Sequence, residues 1–185
     1  MEVIKVTLDE VSDVVFDILS EQREGVVYCV ADENCAVVGS NGGADFEAIE
    51  KAGIKMVQIK HEGGTIILSP GDVDVGIFTE GYSGQEYRKT IVEKVKKMLG
   101  EKGIESEING NDLLIDGRKV LGFGSRFFGK ILYTAIHFAV NADLELIKEI
   151  CTKSMSKVPD SLSRYGISTN EILEILSETF GKEFY

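Results

Sequence analysis

Two glycine-containing stretches carry residue types that could act on an anion. The first, HEGGTIILSPGDV at 61–73, places the adjacent glycines Gly63 and Gly64 just before an apolar strand. The second, NDLLIDGRKVLGFGSR at 111–126, places Lys119 after a tight turn. Glycines let backbone N–H groups approach an anion without an obstructing Cβ, and a lysine offsets negative charge. The pattern suits carboxylate or phosphate chemistry, but strand packing and a solvated lysine are the plain structural alternatives.

Composition and charge limit the classes of partner. The 185 residues include 20 basic and 31 acidic ones, a net charge of −11, which argues against binding to a nucleic-acid backbone as the main role. Three cysteines form neither a disulfide framework nor a zinc-ligand spacing, so we predict no protein metal site. No apolar run approaches the length of a membrane span, and the first residues lack a signal-peptide layout. We expect one cytoplasmic domain over 1–185, without a membrane partner or an accessory C-terminal domain.

Helix signals occur at five places. Three capping boxes are predicted, at Thr7–Glu10, Ser83–Glu86 and Ser168–Glu171, the second helix ending at Gly100 and the third at Gly181. A short helix over Asp45–Ala52 is ended by Gly53. A further apolar stripe consists of Leu144, Ile147, Cys151 and Met155.

Short β-branched runs separate these helices. Strands are predicted at 26–30, 35–39, 55–59, 65–68, 73–78 and 131–140, with a meander between the last two. Within the meander, Asn109-Gly110 and Asp116-Gly117 are preferred dipeptides for two-residue hairpin turns. The order of elements predicts an α+β fold with a mixed or antiparallel sheet flanked by helices.

Four motifs in this order resemble the biotin/lipoate protein ligase family, and lipoate–protein ligase most closely. They are VVGSNG at 37–42, AGIKMVQIKHEGGTIILSPGDV at 52–73, NDLLIDGRKVLGFGSR at 111–126 and HFAVNADLELI at 137–147. The resemblance implies that the protein uses ATP and Mg²⁺ to convert lipoate or a related acid into an acyl-adenylate. The acyl group would then pass to a lysine on a lipoyl or biotinyl carrier domain.

The resemblance also implies a set of site residues. Lys119 in GRK matches the family's essential lysine. The other matched positions, expected to bind nucleotide or acyl group, are Gly39, Asn41, Lys60, Gly63, Gly64, Thr65, Asn111, Asp112, Gly122 and Ser125. Lipoate, octanoate and biotin all remain open as the acid, with Val37, Ile66, Ile77, Phe123 and Phe138 as candidate pocket lining.

Several positions depart from the family pattern. Lys60 stands near the expected arginine and supplies charge without a guanidinium fork. The residues before the glycine pair are His61-Glu62, the histidine of the following strand is Leu68, and the family's HHG is replaced by 134–136. His137 follows soon after, as either a core or a catalytic histidine.

An octanoyltransferase is one alternative on the same fold. It would need no ATP, taking an acyl group onto Cys151 with help from Lys119 and passing it to a target lysine. Cys151 follows DLELIKEI as the family nucleophile follows its own helix, but the PCG motif is absent. A small buried apolar cysteine is the competing interpretation.

A binding or regulatory module is the other alternative. The missing arginine and histidines, together with the strong acidity, are compatible with a retained fold that has lost its chemistry. Such a module would bind a lipoyl-like domain, a small acid or another protein without reacting.

Overall fold

Ten strands and five α-helices make up the part of the chain that the computed structural model describes, residues 1–39, 42–58, 64–151 and 157–185. The strands are β1 Val3–Lys5, β2 Gly25–Val30, β3 Cys35–Val38, β4 Lys55–Gln58, β5 Thr65–Leu68, β6 Val73–Glu80, β7 Glu107–Asn109, β8 Asp112–Ile115, β9 Arg118–Phe128 and β10 Ile131–Phe138. The helices are α1 Val11–Ser20, α2 Phe46–Ala52, α3 Ser83–Glu101, α4 Leu144–Ile150 and α5 Thr169–Phe180, with a 3₁₀ turn at Leu162–Tyr165.

The strands form two mixed sheets. The larger has the order β1-β2-β6-β10-β9-β8-β7, in which only β1 and β2 pair in parallel. The smaller has the order β4-β3-β5, parallel between β3 and β4 and antiparallel between β3 and β5. The α+β class with a mixed sheet and flanking helices is therefore confirmed. Strand β1 is an addition to the prediction.

Three apolar cores lie on successive faces of the sheets. One face of the large sheet packs against α3 and α5, burying side chains such as Ile77 and Leu176. Its other face meets the small sheet and α1 through Phe78, Val37 and Ile18. The outer face of the small sheet is covered by α2 and α4. The space between the sheets is thus bounded by side chains from both.

Two predicted sets of helix ends are confirmed. The Asp45 carboxylate accepts the Ala48 N–H at the start of α2, and Gly53 ends that helix at φ +64°. At α5 the Ser168 hydroxyl and the Glu171 carboxylate form a complete capping box, and Gly181 ends the helix at φ +61°. Both ends are local in sequence and need no tertiary partner.

Three other helix predictions need correction. Glu10 accepts the N–H and hydroxyl of Thr7, but α1 begins only after Glu10. Helix α3 begins at Ser83 without its predicted box, because the Thr79 hydroxyl on β6 accepts the Gly84 N–H at 2.8 Å. This helix also continues through Gly100.

The helix predicted through Cys151 and Met155 is too long at its C-terminal end. Helix α4 stops at Ile150, and Cys151 forms an antiparallel bridge with Ala44 instead. Met155 lies outside the described residues. Cys151 therefore lies beyond the helix end and not on its apolar face.

The two predicted hairpins differ in outcome. Asp116 and Gly117 are the central residues of the β8–β9 turn, at φ +49° and +72°. In the β7–β8 hairpin Asn109 pairs with Asp112, so the central residues lie one position later than predicted. Gly110 is the residue with positive φ there, at +64°.

One buried carboxylate joins the two sheets. Asp72 lies in the corner between β5 and β6, and its carboxylate accepts the backbone N–H groups of Ser69 at 2.8 Å and Asn141 at 2.7 Å. The Asn141 amide donates to the Pro70 carbonyl, and the Asp143 N–H donates to the Ser69 hydroxyl. Burial raises the pKa of Asp72 to about 6, although these backbone bonds oppose the rise. The Ser-Pro-Gly-Asp motif is thus structural.

We expect Asp72→Ala to lower the free energy of unfolding by about 2 to 5 kcal/mol, because it leaves the N–H groups of Ser69 and Asn141 without their acceptor. Urea denaturation measures this loss. Asp143→Ala is the matched control: it removes only the N-cap of α4 and costs about 1 kcal/mol. Equal losses in the two variants would show that Asp72 does not join the sheets.

Candidate active site

A cavity of about 630 Å³ lies between the two sheets. Strands β6, β8, β9 and β10 of the large sheet form one wall, and Val37, Thr65 and Ile66 of the small sheet contribute to the other. This volume is in the range of small-molecule sites.

Four residues of the cavity wall form a row across four adjacent strands. Asp74 on β6 pairs with His137 on β10, His137 pairs with Gly122 on β9, and Gly122 pairs with Asp112 on β8. Directly opposed residues of neighbouring strands project to the same face of a sheet. The row therefore brings two carboxylates and an imidazole to one side, and all four residues line the cavity.

A β-bulge positions Lys119 beside this row. Leu113 pairs with Leu121 and Leu114 with Lys119, which leaves Val120 as the extra residue of β9. Such a bulge bends the strand and changes the direction in which the neighbouring side chains project. The Lys119 N–H donates to the Val158 carbonyl at 2.8 Å, and its carbonyl accepts the Asp160 N–H at 2.8 Å. The backbone of Lys119 is therefore held from both sides.

The side chain of Lys119 belongs to a compact charged cluster. Its Nζ lies 2.8 Å from Asp112 Oδ1, and Lys157 Nζ lies 2.8 Å from Asp112 Oδ2. Burial acts to raise the pKa of Asp112, but hydrogen bonds from both lysines outweigh it and hold that pKa below its usual value. Two cations against one carboxylate leave a net positive charge that favours an anion.

Gly122 leaves the space that the Lys119 side chain occupies. A Cβ on this residue would lie 2.8 Å from both Cε and Nζ of Lys119. Real Cβ atoms do not approach other atoms so closely, so a larger residue would require the end of the Lys119 side chain to shift. Gly122 thus permits the observed position of the ammonium group.

The inner part of the row pairs an acid with a histidine. His137 Nδ1 lies 3.9 Å from Asp74 Oδ1, and within the described residues this nitrogen is buried without a hydrogen-bond partner. Burial lowers the pKa of His137 to about 3, with a contribution from the Lys119 charge. Burial likewise raises the pKa of Asp74 to about 7, with a contribution from Asp72. The imidazole is therefore neutral at physiological pH.

Comparison with known proteins identifies the family. Residues 10–181 match the family model described as the lipoyl protein ligase A/B catalytic domain. This chain belongs to that family. A search among curated proteins gave no match.

Solved structures of lipoate–protein ligases share the fold of this family member. LipL1 from P. falciparum in complex with lipoate superposes with a TM-score of 0.79 at 12% identity, over 97% of this chain and 61% of that one. Lipoate-protein ligase A bound with ATP gives 0.72 at 15%, over 100% and 87%. The bi-partite lipoate protein ligase from Thermoplasma acidophilum, described with its E2 lipoyl domain, gives 0.67 at 14%, over 100% and 85%.

Most of the predicted site residues of this lipoyl-ligase family member surround the cavity. The predicted residues that line it are Gly64, Thr65, Asn111, Asp112, Lys119, Gly122, Ser125 and Cys151. Gly39 supports the wall, since its N–H donates to the Gly64 carbonyl at 3.1 Å. Asn41, Lys60 and Gly63 lie outside the described residues. The roles assigned to all these residues remain predictions.

Some predicted residues contribute differently from expectation. The Ser125 hydroxyl is hydrogen-bonded to that of Thr134 at 2.9 Å, on the sheet face that α3 covers. Ile77 and Phe138, two expected pocket residues, are buried in the core against α3 and α5. Val37 and Ile66 do line the cavity, whereas the Phe123 ring packs against the same α3 and α5 core and lies under the Arg88 guanidinium.

Cys151 is present in the cavity wall but is not activated. Its Sγ lies 4.0 Å from the Thr65 carbonyl oxygen. Burial raises the pKa of the Cys151 thiol. Nucleophilic attack by cysteine requires the thiolate, so this environment opposes the role of acyl acceptor.

Lys157 and Asp74, which line the cavity, were not predicted as site residues, and His137 was predicted only as either a core or a catalytic histidine. Lys157 lies in a different motif from its partner Asp112, so no local spacing reveals the contact. Asp74 lies in an apolar strand, and a single acid among apolar residues was the only sequence feature that could have indicated a site there.

No helix of the described residues is long and apolar enough to cross a membrane.

We expect Gly122→Ala to raise the pKa of the Asp112 carboxyl, because the added methyl group displaces the Lys119 ammonium from it. An NMR pH titration of the carboxyl group measures the change. Gly124→Ala is the matched control on the same strand, since its Cβ would meet nothing within 4 Å. An unchanged Asp112 pKa in Gly122→Ala would contradict the packing described.

We expect Asp74→Asn to stabilise the fold at high pH. The folded-state pKa of about 7 lies above the ordinary 3.8, so the stability that this proton provides is complete below about pH 4 and is lost as pH rises through 7. The unfolding free energy of the variant relative to wild type should therefore increase by about 2 to 4 kcal/mol between pH 4 and pH 8.

Denaturant unfolding at both pH values measures this difference. Asp17→Asn is the control, because Asp17 is an exposed acid on α1. A relative stability of Asp74→Asn that does not change with pH would show that the folded protein does not raise this pKa.

Proposed function

We propose that this chain is a lipoate–protein ligase-like enzyme that activates lipoate or a related acid with ATP and transfers the acyl group to a carrier-domain lysine. The observation that carries the proposal is the placement of Lys119: its ammonium lies over Gly122 beside the cavity between the sheets. Family membership and the fold shared with lipoate–protein ligases support it.

In the activation step, an oxygen of the acid attacks the α-phosphorus of ATP and pyrophosphate leaves. Negative charge accumulates on the oxygens around that phosphorus. A fixed ammonium group near them stabilises the transition state more than the separated reactants. Lys119 is suited to this role because the β-bulge, the Val158–Asp160 segment and Asp112 fix both its backbone and its side chain.

Lys157 and Asp112 would assist at the same place. Lys157 supplies a second positive charge within hydrogen-bond distance of Asp112. Mg²⁺ is usually bound through substrate phosphates and one or two carboxylates, and Asp112 is the carboxylate of this cluster that could take part. The ion would neutralise phosphate charge; the lysines hold the oxygens in place.

In the transfer step, the amine of the acceptor lysine attacks the acyl carbon, AMP leaves, and one proton is released from the nitrogen. The acceptor we propose is a lipoyl-type carrier domain. The T. acidophilum neighbour, described with its E2 lipoyl domain, supports this choice.

We expect Lys119→Ala to reduce ATP–pyrophosphate exchange by about 10² to 10³-fold, the loss typical of removing a group that stabilises transition-state charge. The assay uses lipoate, octanoate and biotin in turn. Lys130→Ala is the matched control, because Lys130 lies in the β9–β10 turn and pairs with the exposed Glu80. It should retain wild-type exchange.

Mass spectrometry of a carrier domain added to the same reactions tests the transfer step. Exchange followed by an acyl mass on the carrier lysine supports the full proposal. Absence of exchange with every acid, from folded wild-type protein, would contradict it and favour a binding module. Carrier acylation without ATP would instead favour the Cys151 alternative.

A further inference from the structure

Asp74 and His137 line the cavity, but the activation step uses neither of them. The His137 Nδ1 atom is buried without a hydrogen-bond partner within the described residues, and it lies 3.9 Å from Asp74 Oδ1, too far for a hydrogen bond. The side chains of Asp74 and His137 keep 23% and 15% of their surface exposed, so a ligand in the cavity can contact both. Unsatisfied buried polar groups are rare in proteins, and a catalytic role is one explanation for them.

The pair lies next to the Lys119 ammonium. His137 is the direct neighbour of Gly122 in the row, which places their Cα atoms about 5 Å apart at ordinary strand pairing. The Lys119 ammonium lies over Gly122, and its charge contributes to the lowered pKa of His137. A group that enters the cavity beside Lys119 therefore lies close to His137, with Asp74 on the next strand behind it.

The transfer step needs a base in this part of the cavity. The acceptor lysine has an ordinary pKa of about 10.4, so it arrives as an ammonium group without a lone pair. Lys119 and Lys157 already place two positive charges beside the cavity, and these oppose the entry of a third. Removal of one proton frees the lone pair of the acceptor and also removes this repulsion.

We propose that Asp74 and His137 act together as the general base that deprotonates the acceptor lysine. The inference rests on the proposed function in that it assumes an acyl-adenylate beside Lys119. One ring nitrogen of His137 accepts a proton from the ammonium group, and Nδ1 donates a proton to the Asp74 carboxylate. Hydrogen bonds of this kind are often long before the substrate binds, as the 3.9 Å separation is here.

The remaining bonds then change in one sequence. The lone pair of the free amine attacks the acyl carbon and forms the N–C bond. The C–O bond to the phosphate breaks, and its electron pair leaves with AMP. The second proton of the nitrogen passes to solvent, and the amide is complete.

The surroundings of the two groups suit this direction of proton transfer. Burial lowers the pKa of His137 to about 3 and raises the pKa of Asp74 to about 7. The proton therefore comes to rest on Asp74, and the imidazole stays neutral. The phosphate of the adenylate offsets the charge of Lys119, so His137 accepts a proton more readily after activation than before it.

Further titratable groups face Asp74 from the neighbouring elements. Cys29 on β2 pairs directly with Asp74, and burial raises the pKa of its thiol to about 12. Burial also raises the pKa of Tyr133 on β10, with a contribution from the Asp74 charge. Asp72 has a pKa of about 6 and is an anion at neutral pH, which adds to the raised pKa of Asp74. Near neutral pH the pair therefore titrates beside the charges of Asp72 and Lys119.

Single-turnover transfer from a synthetic acyl-adenylate tests the inference, because it does not require activation by ATP. Lipoyl-adenylate and octanoyl-adenylate are supplied in turn with a lipoyl carrier domain, and mass spectrometry follows acylation of the carrier lysine. We expect the wild-type rate to rise through an apparent pKa near 7 and then to level off. Asp74→Asn should lower the rate at pH 8 by about 10² to 10⁴-fold, the usual contribution of a general base, and should lose the inflection near pH 7.

A second acceptor distinguishes a base from a residue that only supports the site. Hydroxylamine is neutral at pH 8 and attacks the adenylate without prior deprotonation. In Asp74→Asn the ratio of lysine acylation to enzyme-catalysed hydroxamate formation should therefore fall at least 10-fold. His137→Gln should lower the same ratio. Asp17→Asn, a change of an exposed acid on α1, is the matched control and should keep the wild-type ratio.

Equal losses with the two acceptors in a folded Asp74→Asn would overturn the inference, because they would indicate a structural role. A wild-type rate without the inflection near pH 7, or no acceleration of transfer by wild-type protein, would also overturn it. Thermal melts establish folding, and His137→Gln decides the question if Asp74→Asn does not fold.

The two proposals fail separately. Transfer from the synthetic adenylate that depends on Asp74, without pyrophosphate exchange from ATP, contradicts the activation chemistry alone. Exchange in wild-type protein, together with equal losses for the two acceptors in Asp74→Asn, contradicts the general base alone.

Discussion

One buried carboxylate, that of Asp72, links the connections on either side of the junction between the small sheet and the large one. Asp72 accepts N–H groups from its own corner and from Asn141, which follows the strand at the centre of the large sheet. This joins the β5–β6 connection to the β10–α4 connection. Together with the apolar packing that involves Phe78 and Val37, this junction holds the small sheet over the large one beside the cavity. The Ser-Pro-Gly-Asp sequence therefore stabilises the structure around the cavity and contributes no group to the proposed reaction.

Within the cavity, the charged and titratable side chains lie along one row of the large sheet. Strand pairing places Asp112, Gly122, His137 and Asp74 in register, so their order across the sheet is fixed by backbone hydrogen bonds. The end near Asp112 carries the positive charges of Lys119 and Lys157, both held by that carboxylate and suited to phosphate and carboxylate ligands. The end near Asp74 is uncharged at the histidine and titratable at the acid. One row of residues thus carries lysine-paired Asp112 at one end and the Asp74–His137 pair at the other.

Local features of the fold could be predicted from the sequence because they are decided within a few residues. The Ser168 capping box and the Asp116-Gly117 turn depend only on neighbouring groups. The start of α3 could not be predicted in this way, because a hydroxyl from β6 replaces the local cap expected from Ser83. The sequence predicts Ser83 as the helix cap, but in the folded protein Thr79 accepts the Gly84 N–H.

The candidate site likewise has features that the sequence predicts and features that only the fold creates. Lys119 and Gly122 could be proposed from a motif because they are close in sequence and match a family pattern. The contact between Lys119 and Gly122 could not be predicted from the sequence, because the bulge at Val120 and the space above Gly122 arise only when the strands pair. The Asp74–His137 pair and the contact of Lys157 with Asp112 join distant segments. Strand register brings the first pair together, and the bridge between Lys119 and Pro159 holds the segment that carries Lys157 beside β9.

The most direct test of the central claim, that this cavity holds an activated acid against Lys119, is a crystal structure with a non-hydrolysable acyl-adenylate analogue. The predicted result places an oxygen of the acyl–phosphate linkage within hydrogen-bond distance of Lys119 Nζ and the acyl chain between the two sheets. A structure in which the analogue binds elsewhere, or in which Lys119 makes no contact with a bound analogue, would contradict the claim.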